Sequence, residues 1–366
     1  MPPLINIPRK YRDPSTFSIN LLHSFDGYAS SDRLGLIGAL SLDGGVLAAS
    51  PTSRYGQLYD TSTFQQTKLG TYEVTSSFAK SVSIKDDFFV TGFRQFGTAR
   101  LGRVSSTLNV LVPNPGTTGN LFGTHVNMIH VDGDSCVFAV SAIYQDVGAN
   151  TRKGVIYIFR YNGSSVSLIT TLSSPVNTSN QYWGSMSSFY QGVGADAYML
   201  VTAGNYPSAD MSGAWMYSVS TAGYASFIYK FPGNGFYSKR AVRDANYVVL
   251  HAGNTDNLYV YDVVSHSLLA DIPASFLGAA STNYGLNIAL SNGKLAIGDY
   301  ANGHRQVILY NIPTQEIAFI PSPSPTAGGF GYGLAMDGNY LAVGSYDEDT
   351  NGLTDNGRVH LYSIAA

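Results

Sequence analysis

One cysteine, Cys136, stands in 366 residues, which excludes an intramolecular disulfide and any cysteine-rich zinc site. It lies in the apolar run "SCVFAVS" and reads as an inert buried thiol. Glutamate is nearly missing as well: only Glu73, Glu316 and Glu348 occur. Charged residues make up 12% of the chain, with a formal net charge of −3. That balance offers no basic surface for nucleic acid and no polybasic face for a membrane. No apolar run reaches the roughly 18 residues that mark a bilayer span, so no membrane insertion is expected. The opening "MPPLINIPRKYRDPS" lacks the continuous apolar core of a secretory signal.

Recognisable catalytic patterns are missing too. The histidines at 23, 125, 130, 251, 266, 304 and 360 show no H-E-x-x-H spacing. They read as satisfied structural residues. No G-x-S-x-G elbow or phosphate-binding glycine loop occurs. A glycosidase needs two carboxylates converging on one bond, and nothing designates such a pair. The chain is therefore read as non-enzymatic.

What the chain does have is 39 Gly and 26 Tyr, a mixture that suits short aromatic strands joined by tight turns. One apolar run recurs seven times: "VLAAS" (46–50), "FFVTG" (88–92), "VFAVS" (137–141), "MLVTA" (199–203), "VVLHA" (248–252), "LAIGD" (295–299) and "LAVGS" (341–345). Turn signals precede most copies, at Asp43-Gly44, Asp132-Gly133, Asn292-Gly293 and Asp337-Gly338, where positive φ would close a two-residue hairpin. A loop and a strand follow each run, among them "GVIYIFRY" (154–161) and "GRVHLYSI" (357–364), with "GRVSSTLNVLV" (102–112) the least regular. Outer strands such as "SVSLITTL" (165–172) complete the unit.

Units that cannot bury both faces alone must stack. The expected fold is all-β: a seven-bladed β-propeller of four-stranded antiparallel blades, over residues 16–366, with 1–15 as an extended arm. The seventh copy runs out after its third strand, and "TFSINLLHSF" (16–25) is a spare strand. The N-terminal strand is expected to complete the last blade and remove its open edge.

The closing stretch "SYDEDTNGLTDNGR" (345–358) crowds oxygen-bearing side chains into one loop. Asp347, Asp349, Asn351, Gly352 and Asp355 match D-x-D-x-N-G-x-x-D, in which alternate residues turn inward on a hard cation. Leu353 would add its carbonyl. Arg358 holds the place of the final EF-hand glutamate, so a helix-flanked EF-hand is excluded. The loop either binds Ca2+ or is a polar rim turn. The other rim loops, "DVGAN" (146–150) and "GNYPSAD" (204–210), carry too few carboxylates for such a site.

The blades resemble the FG-GAP repeat of integrin-type propellers. The pattern is clearest in "FGYGLAMDGNYLAVGSYDEDTNGLTDNGRVHLYS" (330–363), and the stretches at 284–310 and 122–159 follow the same plan. The resemblance implies a propeller that works outside cells, with calcium in loops of this composition. In the family pattern, however, the calcium loop precedes the "LAVG" strand, whereas here the acidic loop follows it.

A binding or assembly module is the functional expectation. Such a module would be a virus (phage) particle protein of surface or spike type, made without export signal or disulfides. Its rim loops would contact a host glycan or protein receptor, and its N-terminal arm would contact other virion or surface proteins. The insertion "SSPVNTSNQYWGSMSSFYQGVGADAY" (173–198) has the composition of a contact surface, although Trp183 aligns with Phe122 and Phe330 as an inter-blade anchor. The alternatives are a cell-surface adhesion or lectin-like propeller, a polysaccharide-acting enzyme with Asp residues around the channel, or a passive virion scaffold.

Overall fold

The computed structural model describes residues 17–36, 39–51, 57–69, 81–191, 197–203, 214–232, 238–252, 257–273, 275, 287–299, 305–324 and 329–365. These residues form seven four-stranded antiparallel sheets, the blades of a β-propeller. Blade 3 shows the plan: Phe122–Asp132 innermost, then Ser135–Ala142, Val155–Tyr161 and, outermost, Val166–Ser173. In blade 7 the strands Phe330–Asp337, Tyr340–Ser345 and Arg358–Ala365 are completed by Ser18–Asp26. The expected N-terminal closure is present, in a register that sets Ser24 opposite His360 and Asp26 opposite Arg358.

The repeated apolar run forms the second strand of every blade because a neighbouring blade covers each of its faces. Every residue of Phe88–Phe93 is buried, whereas the outermost strand of blade 3 has no fully buried position. The core lies between blades. Phe88, Val90 and Leu101 of blade 2 pack with Phe122, Phe138 and Phe159 of blade 3. Ile129, Ala139 and Ile158 of blade 3 pack with Trp183, Met199 and Trp215 of blade 4. No blade closes a core alone, which is why the repeats must stack.

The Phe-Gly and "LAVG" signatures have a steric cause. Leu34, Phe122, Trp183 and Phe330 are fully buried anchors where the chain enters a new blade, each followed by a glycine at positive φ. A Cβ at Gly344 would lie 2.0 Å from the Gly35 carbonyl oxygen, and one at Gly298 would lie 2.1 Å from that of Gly331. Adjacent blades thus touch backbone to backbone, a contact open only to glycine. Trp183 takes the anchor position, as its alignment with Phe122 and Phe330 implies.

Three local expectations need correction. First, Asp43, Asp132 and Asp337 are not central turn residues. They end their strands, paired with Val46, Ser135 and Tyr340, and the turn glycines follow them. The Asp43 and Asp337 carboxylates are thereby free to bond across to the next blade. Second, 102–112 is not one strand: Thr98–Arg103 is the third strand of blade 2 and Asn109–Val112 its outermost. The chain reverses between them around the Asp87 carboxylate, which accepts from Ser105 N–H at 2.7 Å. Third, 173–198 is not a single surface insertion. Trp183–Gln191 is the innermost strand of blade 4, recruited by its Trp183 anchor, so the connecting loop ends at Tyr182; 192–196 lie outside the described residues.

Candidate functional site

The acidic loop joins the second and third strands of blade 7 and grips the chain that leaves the N-terminal strand. Backbone N–H groups of Ser31, Arg33 and Leu34 donate to the carbonyls of Thr354, Asp355 and Asn356 at 2.9, 3.0 and 3.1 Å. Asn356, fully buried, donates from Nδ2 to the Gly27 carbonyl at 2.8 Å and accepts from Thr350 N–H at Oδ1, also at 2.8 Å. Asn351 Nδ2 donates to Asp26 at 3.0 Å. Arg358 donates to Asp26 at 2.5 Å and to Glu348 at 2.9 Å. His360 Nε2 lies 3.1 Å from Glu348 Oε2, and its Nδ1 lies 2.9 Å from Ser24 Oγ. Burial alone would raise the Glu348 carboxyl. The His360 bond and the His360 and Arg358 charges outweigh it and hold the carboxyl below its ordinary range.

Blade 3 repeats this backbone with other side chains. Asp146 Oδ1 accepts the N–H of Arg152 at 2.7 Å, and Asp349 Oδ1 accepts that of Asp355 at 2.7 Å, in each case six residues on. Asn180, Tyr182 and Trp183 donate to Thr151, Arg152 and Lys153 at 2.8, 3.1 and 3.0 Å, as Ser31, Arg33 and Leu34 do in blade 7. The positive φ angles match: 50° at Arg152 and 48° at Asp355, 52° at Tyr182 and 48° at Arg33. The side chains displayed there differ in kind. Blade 3 sets the Arg152 guanidinium 5.0 Å from the Tyr144 ring centre, with the Tyr182 ring 5.3 Å from Tyr144. Blade 7 has Asp347, Asp355 and Arg33 at those positions, with Arg33 and Asp355 3.6 Å apart and both about half exposed.

Of the five residues expected to hold Ca2+, Asp349, Asn351 and Asp355 have partners within the protein. Asp349 is turned to a backbone N–H, Asn351 to Asp26 and Asp355 to Arg33. Leu353 N–H bonds back to Thr350. Asp347 keeps one buried carboxylate oxygen without a partner; burial, with Asp355 beside it, pushes its carboxyl above the usual range against Arg305 and Arg33. Among the described residues no three Asp, Glu, His or Cys side chains form a group able to hold a metal ion.

The innermost strands line a central channel with a cavity of about 420 Å³. Its serines join neighbouring blades: Ser41, Ser81 and Ser83 accept the N–H groups of Ile84, Val126 and Met128 at 3.1, 3.1 and 3.0 Å. Three aspartates stand at the mouth, the arrangement expected of the enzymatic alternative. Each carboxylate accepts a hairpin N–H of the next blade: Asp43 from Asp86 at 2.7 Å, Asp337 from Gly44 at 3.1 Å and Asp244 from Gly293 at 2.6 Å. His125, also in the wall, is driven down to about 3 by burial and then by the Arg240 and Arg94 charges, and is neutral. Cys136 is buried and its thiol pushed up to about 12 by burial, so it holds no thiolate near neutrality. His130 rests 2.8 Å from the Val219 carbonyl.

Sequence reasoning singled out the carboxylates of 347–355 and missed their partners. Asp26, Asn356, Arg358 and His360 carry the closure, and the one signal available was that Asp26 directly follows the spare strand read at 16–25. It also set aside "DVGAN", whose Asp146 organises the rim of blade 3. The arm 1–15 and the loop 204–210 lie outside the described residues. No helix among the described residues is long and apolar enough to cross a membrane.

No protein-family model matches this chain, and no curated protein is significantly similar to it.

Proposed function

We propose that this chain is a non-enzymatic binding and assembly module whose rim loops contact a host glycan or protein receptor. One observation carries the reading: the rim loops of blades 3 and 7 hold one backbone path while displaying unrelated side chains. A rigid frame with variable loops is how scaffolds place recognition. The finer setting belongs to the same proposal: an FG-GAP-like propeller on a virus particle of phage type, its N-terminal arm seated on other particle proteins.

The test is binding of the full chain to a glycan array and to bacterial cells, with calcium and then with EDTA, alongside an assay for reducing ends released from polysaccharide. Saturable binding without release of reducing ends is expected, and EDTA is expected to leave it unchanged. Release of reducing ends would replace the proposal with an enzyme. Binding lost both with EDTA and in a folded Asp349→Ala variant would return Asp347, Asp349, Asn351, Leu353 and Asp355 to calcium. No binding to glycan or cell would leave a scaffold.

A further inference from the structure

Beside the blade 3 loop, the rim opens into a polar cavity of about 570 Å³, lined by residues that include Thr117, Thr118, Tyr144, Asp146, Arg152 and Asn180. Its volume falls within the roughly 300–1,000 Å³ of small-ligand sites. Its floor is built from amides bonded to one another. Asn120 Nδ2 donates to Asn114 at 3.1 Å and to Gln145 Oε1 at 2.9 Å, and Gln145 Oε1 also accepts the Thr117 N–H at 3.2 Å. Asn120 is 1% exposed and Tyr144 partly buried, while Thr117, Thr118, Asp146, Arg152 and Asn180 are exposed at the mouth. The side chains of Thr117, Thr118 and Asn180 make no hydrogen bond to other described residues.

We infer that this cavity is a saccharide-binding site for a neutral sugar, a reading that rests on the binding function proposed above. The chemistry selects the class. Asp146 and Arg152 place one charge of each sign in the wall, so a net anion meets repulsion as well as attraction, and a net cation likewise. Carboxylate, guanidinium and amide are planar groups that each bond adjacent hydroxyls. The threonine hydroxyls donate and accept. Tyr144, whose ring lies under the Arg152 guanidinium, brings aromatic surface to the wall for the apolar C–H groups of a pyranose. A polyhydroxylated ring with one apolar face complements all four features.

Blade 7 offers a comparison. The same backbone there carries Asp347 in place of Tyr144 and Asp355 in place of Arg152, and its nearby ring, Tyr346, lies against Tyr332 instead, 4.6 Å between centres.

The experiment is saturation-transfer NMR on the full chain with methyl glycosides of glucose, galactose, mannose and N-acetylglucosamine, with glucuronic acid as the anionic probe. At least one neutral glycoside is expected to bind ahead of glucuronic acid. Thr118→Arg fills the mouth without removing a bond and is expected to weaken binding by about tenfold or more, equivalent to about 1.4 kcal/mol, with melting temperature unchanged. Asp146→Asn keeps the acceptor for Arg152 N–H and is expected to weaken binding while the fold survives. Undiminished sugar binding in a folded Thr118→Arg variant would place the sugar elsewhere and overturn this site while sparing the binding function. Preference for glucuronic acid, or cell binding with no glycoside signal, would overturn the sugar class alone. Silence on glycosides, array and cells together would remove both readings.

Discussion

The rim loops of blades 3 and 7 take one backbone path and carry opposite chemistry. In both, an aspartate accepts an N–H six residues on, and the loop then pins the segment entering the next blade. Blade 3 forms this loop with arginine and lysine where blade 7 has Asp355 and Asn356. The crowd of acids is therefore not what bends the loop. Blade 7 differs instead in how its outer strands are held. In blade 3 the third and outermost strands are joined by a short hairpin whose Asn162 accepts from Ser164 and Ser165. In blade 7 those strands come from opposite ends of the chain, and no hairpin holds them. Side-chain bonds between facing residues take its place: Asp26 to Arg358 and Ser24 to His360.

The largest effect should come from the anchors, where both blades use the same device. Trp183→Ala is expected to cost about 3–5 kcal/mol and Leu34→Ala about 2–5 kcal/mol, measured by urea denaturation. If only the blade 4 anchor mattered, the equivalence of the two junctions would fail.

Next comes the position that separates the blades. Asn356→Ala strips partners from the Gly27 carbonyl and the Thr350 N–H, and should cost about 2–3 kcal/mol. Its counterpart Lys153, which reaches Asn177 only at 3.5 Å, should cost less than about 1 kcal/mol as alanine. Equal losses would mean that the closure is no more polar in energy than any other junction.

The smallest effect is electrostatic. Glu348→Gln keeps the shape and removes the charge, for about 1 kcal/mol at neutral pH, the difference between a charged and a neutral hydrogen bond. Because the Glu348 carboxyl is held below its ordinary 4.5, its contribution is present above that pH and lost as the pH falls through the folded value. Melting temperature against pH should therefore drop less steeply on acidification in the variant than in the parent chain. Parallel profiles would remove Glu348 from the closure.

Much of the ring could be read along the chain. The second strand repeats because its surroundings repeat, and the spare strand at 16–25 could be paired with the truncated seventh unit by counting. The acidic loop could be seen but not interpreted. Its Asp355 and Glu348 meet Arg33 and Arg358, and its Asn351 meets Asp26; two of those partners lie more than 300 residues away along the chain, so no local spacing reports them. The blade 3 cavity was hidden for a related reason: Thr117 and Asn180 belong to the connectors before and after blade 3, and Tyr144 and Arg152 to the loop within it, and only the folded blade brings them together.

The sequence by itself determined the seven-fold repeat, the strand order and the glycine positions, because each depends on short-range periodicity and on contacts that recur in every blade. Only the tertiary structure decided what the polar side chains do. A carboxylate with the same local spacing can hold a cation, cap a turn or clasp a distant strand. The outcome depends on which donor the closed ring brings within about 3 Å.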